Sequence, residues 1–448
     1  MSVSRFFLIA MGALLIGYAV FNKGFAYVGV APLFIGEVFL GFSFFLLLAG
    51  SYSSRIFGSP LMWIIILFIS WGAIRTLPYI EEFGLNAFRD AVVWGYAFYA
   101  VFVAGALLQG RLVGQVPRWF STWFPWFLVI APIIYMMGQL IPDRLPKWPG
   151  TETSFFHMKP GDMAVHLAGV AGFLGLGLHR RFLKAGQRIS QAKEFSLWMI
   201  WGIGVIAAGS RNRGGMMSVF LACCIILLFK PMGRLNRVIL PALIVVFLGL
   251  AFDIKVPVGG DRYFSVQQIL DNIESVVSKS DKSELTGTAS WRLEWWTKIY
   301  QETVHGDYFW DGRGYGVDLS QVHNFADATK NRSPHNGHLT ILARSGMPGL
   351  VLWVVFLGLV GIMLLQGYFR MRSLGQYDLA DLNIWCMAYM SAFMVNSSFD
   401  VYLEGPQGGI WFWALMGFVV ALTEEQRLLY AQSTASQRSE LGSSPGRL

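Results

Sequence analysis

Two histidines and an asparagine stand close together in the segment SPHNGHLTILARSGMPG, residues 333–349. His335 and Asn336 follow a proline, His338 lies three residues further on, and a Gly-x-x-Gly step then leads into a long apolar run. Histidine is the side chain best able to accept a proton near neutral pH, so the segment predicts a general base, His335, with His338 as a competing one. The alternatives are a structural histidine bonded to loop backbone and half of a metal site. No third ligand follows at a recognisable spacing, so we expect no metal.

Arginines form a second group of residues suited to chemistry. Arg211 and Arg213 lie in the turn SRNRGG between two apolar segments, and Arg292 lies in SWRLEWW. Because guanidinium groups are always charged and present planar forks to phosphate oxygens, the three arginines predict a diphosphate site. The alternative for the first two is snorkelling to lipid phosphates, and the alternative for Arg292 is an exposed helix position beside Glu294.

Two more arginines, Arg75 and Arg89, lie near the outer ends of predicted membrane helices. Each of them either joins the same basic pocket or anchors its helix at the membrane interface.

The composition indicates that a membrane must position these residues. Of the 448 residues, 54% are hydrophobic and 14% are charged, which is typical of an integral membrane protein. Runs such as LMWIIILFISWGAI are continuously apolar, so they favour helices over the alternating strands of a barrel. All three cysteines fall inside apolar runs, so we expect neither a disulfide framework nor a cysteine zinc site.

Apolar windows of about 20 residues predict an all-α protein with twelve transmembrane helices. They lie near 5–22, 32–50, 60–78, 87–108, 121–141, 162–178, 194–209, 214–230, 236–254, 348–367, 380–398 and 407–423. Residues 1–254 would then carry helices one to nine, 255–347 a large periplasmic loop with the histidine motif, 348–424 helices ten to twelve, and 425–448 a disordered cytoplasmic tail. The first run is predicted to be a retained helix, since no small-residue cleavage site follows it.

Charge placement predicts the orientation. The connections that carry most of the arginines and lysines alternate along the chain, which places them and both termini in the cytoplasm. The outer side then receives the segments 142–161, 210–215, 255–347 and the connection near 400. Within the large loop, apolar residues at helical spacing predict two short helices, at 263–279 and 290–304.

These motifs resemble those of the O-antigen ligase and polymerase superfamily of bacterial envelope glycosyltransferases. The signature is His, then Asn, Ser or Gln, nine further residues and Gly-x-x-Gly, matched here by His335-Asn336 and Gly346–Gly349. The turn SRNRG and the Arg-Trp segment SWRLEWW also match. Recognisable motifs cover roughly residues 205–365.

The resemblance implies a GT-C-like bacterial inner-membrane enzyme that transfers a glycan from undecaprenyl diphosphate to an acceptor sugar hydroxyl on the periplasmic face, without metal or other cofactor. By the same resemblance, His335 would deprotonate the acceptor, Asn336 would orient the histidine or the acceptor, and Arg211, Arg213 and Arg292 would hold the diphosphate. Either arginine of the turn could be the family's phosphate ligand, and His338 remains a competing base.

The sequence does not identify the acceptor of the glycan. The complete signature and single large loop favour a ligase, which acts on the lipid A core. A polymerase of the same superfamily would extend carrier-linked repeat units, and a third type would glycosylate protein hydroxyls. A polytopic lipid or sugar transporter would need charges near the bilayer midplane, and a metal-dependent transferase would need external carboxylates at ligand spacing, for which Glu81-Glu82 alone offers little. Nothing in the sequence predicts nucleic-acid binding.

Overall fold

The computed structural model describes residues 2–48, 53–182, 189–209, 212–230, 256–257, 263–264, 283–323 and 332–443. Helices dominate this part of the chain, which is an all-α membrane protein. The helices are α1 Val3–Phe21, α2 Lys23–Ala26, α3 Ile35–Leu48, α4 Pro60–Thr76, α5 Ile80–Phe83, α6 Leu85–Gly95, α7 Phe98–Gly110, α8 Val116–Leu140, α9 Pro160–Gly175, α10 Leu178–Arg181, α11 Gln191–Gly209, α12 Arg213–Phe229, α13 Ser283–Val304, α14 Leu319–Val322, α15 Gly337–Ser373, α16 Tyr377–Ser397 and α17 Pro406–Ser443.

Short elements connect these helices. Turns of 3-10 helix lie at Ser54–Gly58, Leu77–Tyr79, Val113–Gln115 and Pro142–Arg144. Strand β1 (Gly29–Val30) pairs antiparallel with β2 (Leu33–Phe34), and β3 (Val256–Pro257) pairs in the same way with β4 (Tyr263–Phe264).

Five helices of the described residues are long and apolar enough to cross a membrane: Val3–Phe21, Pro60–Phe83, Val113–Leu140, Gly337–Ser373 and Pro406–Ser436. A sixth span results if α6 and α7, bent by 43° at their junction, count as one. Each of these lies on a window that the hydropathy predicted. The predicted span 236–254 lies outside the described residues, and the total of twelve stays a prediction.

Helix α9 lies at the centre of the bundle, between α11, α12 and α16. It is buried on every face, as expected for a helix in which most residues are apolar or small. Gly169 lets α16 approach closely, because a Cβ there would lie 2.7 Å from the ring of Tyr389. Small residues at such contacts are the usual means of packing membrane helices.

The two ends of α16 identify the two ends of the bundle. Near Tyr377, Arg181 contacts Asp378 and Asp381, and Lys230 also contacts Asp381. The structure thus joins basic residues that the charge rule placed on one side. Segments predicted for the other side meet at the Ser397 end instead, as described below.

Helix α15 breaks at Gly346, which has φ 67° and ψ −170°. A side chain there would be strained by the positive φ, and its Cβ would lie 2.7 Å from the carbonyl oxygen of Phe309. The break divides a short helix that follows His335 from the long apolar helix, which is the boundary that the Gly-x-x-Gly step predicted.

The remaining predicted elements are the two helices of the large loop and the C-terminal tail. The helix predicted at 290–304 is present and begins earlier, at Ser283, whereas the one predicted at 263–279 lies outside the described residues. Helix α17 continues to Ser443, where the sequence predicted a disordered tail from residue 425. The reason is that 425–441 contains neither glycine nor proline, so a helix already formed in the membrane propagates at little further free-energy change per residue.

Candidate active site

Asn336 and His335 form the turn that precedes α15. The Asn336 side chain caps the helix, accepting hydrogen bonds from the backbone N–H of His338 and of Leu339 at 3.0 and 3.1 Å. Asparagine is among the best residues at this position because its short side chain reaches the free N–H groups of the first turn. His335 precedes the cap with φ 52°, in the left-handed region. The indole of Trp296 donates to the carbonyl of Pro334 at 2.8 Å, which fixes the other side of the turn.

The imidazole of His335 faces the carboxylate of Asp400, in the connection between α16 and α17. Nδ1 of His335 lies 3.5 Å from Oδ1 of Asp400, and the two side chains are 22% and 17% exposed. Burial would raise the pKa of Asp400, but the hydrogen bond from His335 and the nearby Lys159 ammonium hold that pKa below its ordinary value. Asp400 is therefore ionised, and it favours the tautomer with the proton on Nδ1 and the lone pair on Nε2.

His338 is engaged differently. Its Nδ1 accepts a hydrogen bond from the indole N–H of Trp353 at 2.9 Å, and its ring also bonds the backbone of Met394. Since an indole can only donate, Nδ1 is unprotonated and the ring proton of the neutral form lies on Nε2. The Nδ1 lone pair of His338 is thus used within the protein.

Lys159 also contacts the carboxylate of Asp400. Its Nζ lies 3.0 and 3.3 Å from the two carboxylate oxygens. Burial lowers the pKa of Lys159, but Asp400 and Asp162 outweigh that effect and raise it above its ordinary value, so the ammonium is charged. Asp162 is fully buried and accepts hydrogen bonds from Asn22 and Asn396 at 3.0 and 3.3 Å. A network of buried polar side chains therefore lies next to the Lys159–Asp400 pair.

Arg292 lies on α13 beside the same connection. One of its amino groups donates to the carbonyl of Phe399 at 3.3 Å, and its guanidinium lies 5.4 Å from the centre of the Trp291 ring. The Trp291 ring in turn meets the His335 ring edge to face at 5.9 Å. Burial lowers the pKa of Arg292 and Asp400 opposes this effect. The structure thus brings Arg292 close to His335, with the Trp291 ring between them.

Arg213 is the first residue of α12, directly after the capping residue Asn212, whose side chain accepts from the N–H of Gly215 at 2.7 Å. The next residue, Gly214, packs on Phe399, since a Cβ there would lie 3.1 Å from its ring. The backbone of Arg213 therefore lies beside the connection that carries Asp400. Arg211 lies outside the described residues.

Arg75 and Arg89 have other surroundings. The Nε of Arg75 donates to the carbonyl of Asp311 at 2.8 Å, and an amino group lies 3.4 Å from the hydroxyl of Tyr79, so Arg75 ties α4 to the loop before α15. Arg89 is exposed on α6. Among the contacts of the described residues, none joins either arginine to His335 or Asp400. In that same part of the chain, no three His, Cys, Asp or Glu residues lie close enough to hold a metal ion.

Asp400 and Lys159 are the residues that the motifs did not reveal. Asp400 is the only acidic residue of the stretch MSAFMVNSSFDVY, which leaves a membrane helix at the same end of the bundle as His335. A lone carboxylate at such a position is the signal that could have indicated it.

Comparison with known proteins agrees with the motifs. Residues 196–354 match the family described as O-Antigen ligase, a range that includes Arg213, Arg292 and the His335-Asn336 turn. No curated protein matches the chain. The matched part of the chain is therefore a domain of the O-antigen ligase superfamily, a family of glycosyltransferase-type enzymes, and the apolar helices are those of a multi-pass membrane protein.

Proposed function

We propose that the protein is an O-antigen ligase, which transfers a glycan from undecaprenyl diphosphate to a sugar hydroxyl of the lipid A core at the periplasmic face. The observation that carries the proposal is the His335–Asp400 pair, 3.5 Å apart, with Arg292 against the neighbouring residue Phe399. A general base that lies next to a phosphate-binding cation suits a reaction in which a hydroxyl attacks and a diphosphate leaves.

His335 acts as the general base. With Nδ1–H directed at Asp400, Nε2 takes the proton of the acceptor hydroxyl while its oxygen attacks the anomeric carbon of the donor. The new glycosidic bond forms as the bond from the anomeric carbon to the diphosphate oxygen breaks. The imidazolium that results is stabilised by the Asp400 carboxylate, which stays ionised.

The arginines bind the leaving group. Negative charge grows on the bridging oxygen of the diphosphate as it departs, and fixed cations in a partly dry site stabilise that charge. Arg292 supplies one guanidinium, and Arg213 supplies another at the N-terminus of α12, where the helix dipole also favours an anion. Arg211 belongs to the same turn and stays a proposed ligand. No metal ion is part of this mechanism.

Asn336 is a positioning residue in this proposal. Its amide oxygen is used by the helix cap, so it orients His335 through the backbone instead of touching the acceptor. This geometry gives the first two residues of the signature one physical purpose, because a cap fixes where α15 begins and therefore where the preceding histidine points.

In the membrane, we place the Ser397 end of α16 at the periplasmic face of the inner membrane, with both termini in the cytoplasm and twelve spans in all. What supports this orientation is that Arg181 and Lys230, from basic connections, lie at the Tyr377 end.

A clean deletion strain tests the function. Its lipopolysaccharide would be separated on a gel and its carrier-linked glycans would be extracted and sized. A ligase leaves long glycans on undecaprenyl diphosphate and a bare core. Single repeat units, either on the core or on the carrier, would refute the ligase and establish a polymerase, which shares the same chemistry and differs in its acceptor.

A further inference from the structure

Glu404 bonds both flanks of the His335 turn. Its Oε1 accepts a hydrogen bond from the hydroxyl of Thr340 at 2.8 Å, and its carboxylate also accepts one from the hydroxyl of Ser333. Ser333 stands two residues before His335, and Thr340 lies in the first turns of α15. One carboxylate therefore bridges the chain on either side of the proposed base.

The hydrogen bonds of Glu404 also extend, through Thr340, to the helix cap at Asn336. The Thr340 hydroxyl lies 3.1 Å from the carbonyl oxygen of Asn336, to which the backbone N–H of Thr340 donates as well. Thr340 is fully buried and Ser333 is 5% exposed, so water cannot readily replace these contacts. Glu404, Thr340 and Asn336 thus form a continuous chain of hydrogen bonds that ends at the residue after His335.

Asp400 and Glu404 belong to one short connection between α16 and α17, residues 398–405. Asp400 fixes the His335 ring at Nδ1, and Glu404 fixes the backbone that carries the ring. Since His335 holds a positive φ, which a side chain rarely adopts unless its surroundings impose it, a restraint on both flanks is the physical requirement that Glu404 meets.

Glu404 serves the two flanks as a hydrogen-bond acceptor. Burial raises its pKa above the ordinary value, and Asp90 adds to that effect, while the buried Arg344 and the bonds from Thr340 and Ser333 oppose it. Arg344 is itself paired with Asp90 at 3.0 Å. An amide of the same shape can still accept from Thr340, so glutamine is a fair substitute.

We infer that Glu404 is a positioning residue of the transfer reaction, which locks the His335 turn to the connection that carries Asp400. The inference rests on the proposed role of His335 as the base. It concerns how fast bound donor and acceptor react, and not how tightly the diphosphate is held.

The test uses the full-length protein in nanodiscs, with the undecaprenyl-diphosphate-linked glycan and the lipid A core extracted from the deletion strain as substrates. For Glu404→Ala we expect kcat to fall at least tenfold while KM for the donor changes less than twofold. Glu404→Gln keeps the acceptor for Thr340 and is expected to retain kcat within threefold of the wild type. Thr340→Val removes the same hydrogen bond from the other partner and should lower kcat in the same way.

The matched control is Glu152→Ala, which removes an exposed carboxylate that forms an ion pair with Lys147, and its kcat should equal that of the wild type. Wild-type kcat in Glu404→Ala, or equal losses in Glu404→Ala and Glu404→Gln, would overturn the inference. Should Glu404→Ala fail to fold, Thr340→Val and Glu404→Gln decide the question by the same criteria. Activity in His335→Ala would instead overturn the proposed base, so the two failures are distinguishable.

Discussion

Replacing Asp400 by asparagine tests the reaction most directly, because it keeps the size of the side chain and removes its charge. In the proposed mechanism, Asp400 stabilises the imidazolium that His335 becomes when it takes the acceptor proton. Two unit charges 3.5 Å apart would interact by about 5 kcal/mol at an effective dielectric constant of about 20. Both side chains are partly exposed, so the smaller range of about 1.5–3 kcal/mol for a charged hydrogen bond is the better guide.

That range corresponds to a decrease in kcat of about 10- to 150-fold, at about 1.4 kcal/mol for each factor of ten. KM for the donor should change much less, since Asp400 is not a ligand of the diphosphate in the proposed mechanism. The assay is initial-rate kinetics in nanodiscs with extracted donor and lipid A core, corrected for the amount of folded protein.

One complication has its own control. Asp400→Asn also leaves Lys159 without the carboxylate that it contacts at 3.0 Å, and an unpaired buried charge destabilises a protein. The double variant with Lys159→Gln removes that charge and should keep the same low kcat while recovering thermal stability. Wild-type kcat in Asp400→Asn, together with inactivity of His335→Ala, would refute the reasoning.

Three further predictions concern the remaining residues of the site. Arg292→Ala and Arg213→Ala should each lower kcat/KM for the donor about 10- to 150-fold through loss of a charged hydrogen bond to the diphosphate, and unchanged kinetics would contradict their role. Asn336→Ser should keep the helix cap and most of the activity, whereas Asn336→Ala should lower the free energy of unfolding by about 1 kcal/mol and reduce kcat, as thermal unfolding and kinetics would show together. His338→Gln should reduce stability while leaving transfer measurable, because its ring is bonded to Trp353 and Met394; complete inactivity of well-folded protein would make His338 the base instead.

The local features of the site could be predicted from the sequence because they depend on short-range rules. Asparagine is a strong helix cap, so α15 begins after Asn336, and glycine alone fits the positive φ at Gly346, so the helix breaks there. The proximity of Arg292 to His335 followed from a family resemblance, since nothing in their spacing requires it.

The contacts across the bundle could not be predicted in this way. Asp400 and Glu404 are separated from His335 by α15 and α16, and Lys159 belongs to a different part of the chain altogether. Their meeting depends on how α9, α15 and α16 pack, and a single apolar sequence is compatible with many such packings. A lone acidic residue next to a membrane helix also has no periodic pattern that would indicate its partner.

The connection 398–405 explains why these distant residues form one site. It gives Asp400 to the ring of His335, Glu404 to the flanks of the same turn, and the carbonyl of Phe399 to Arg292. Each contact comes from a short segment held between two long helices that the bundle immobilises, and such support positions reacting groups more accurately than a free loop does. The proposed base and the proposed phosphate ligand are therefore fixed against a common reference, the His335 ring through Asp400 and the Arg292 guanidinium through the carbonyl of Phe399.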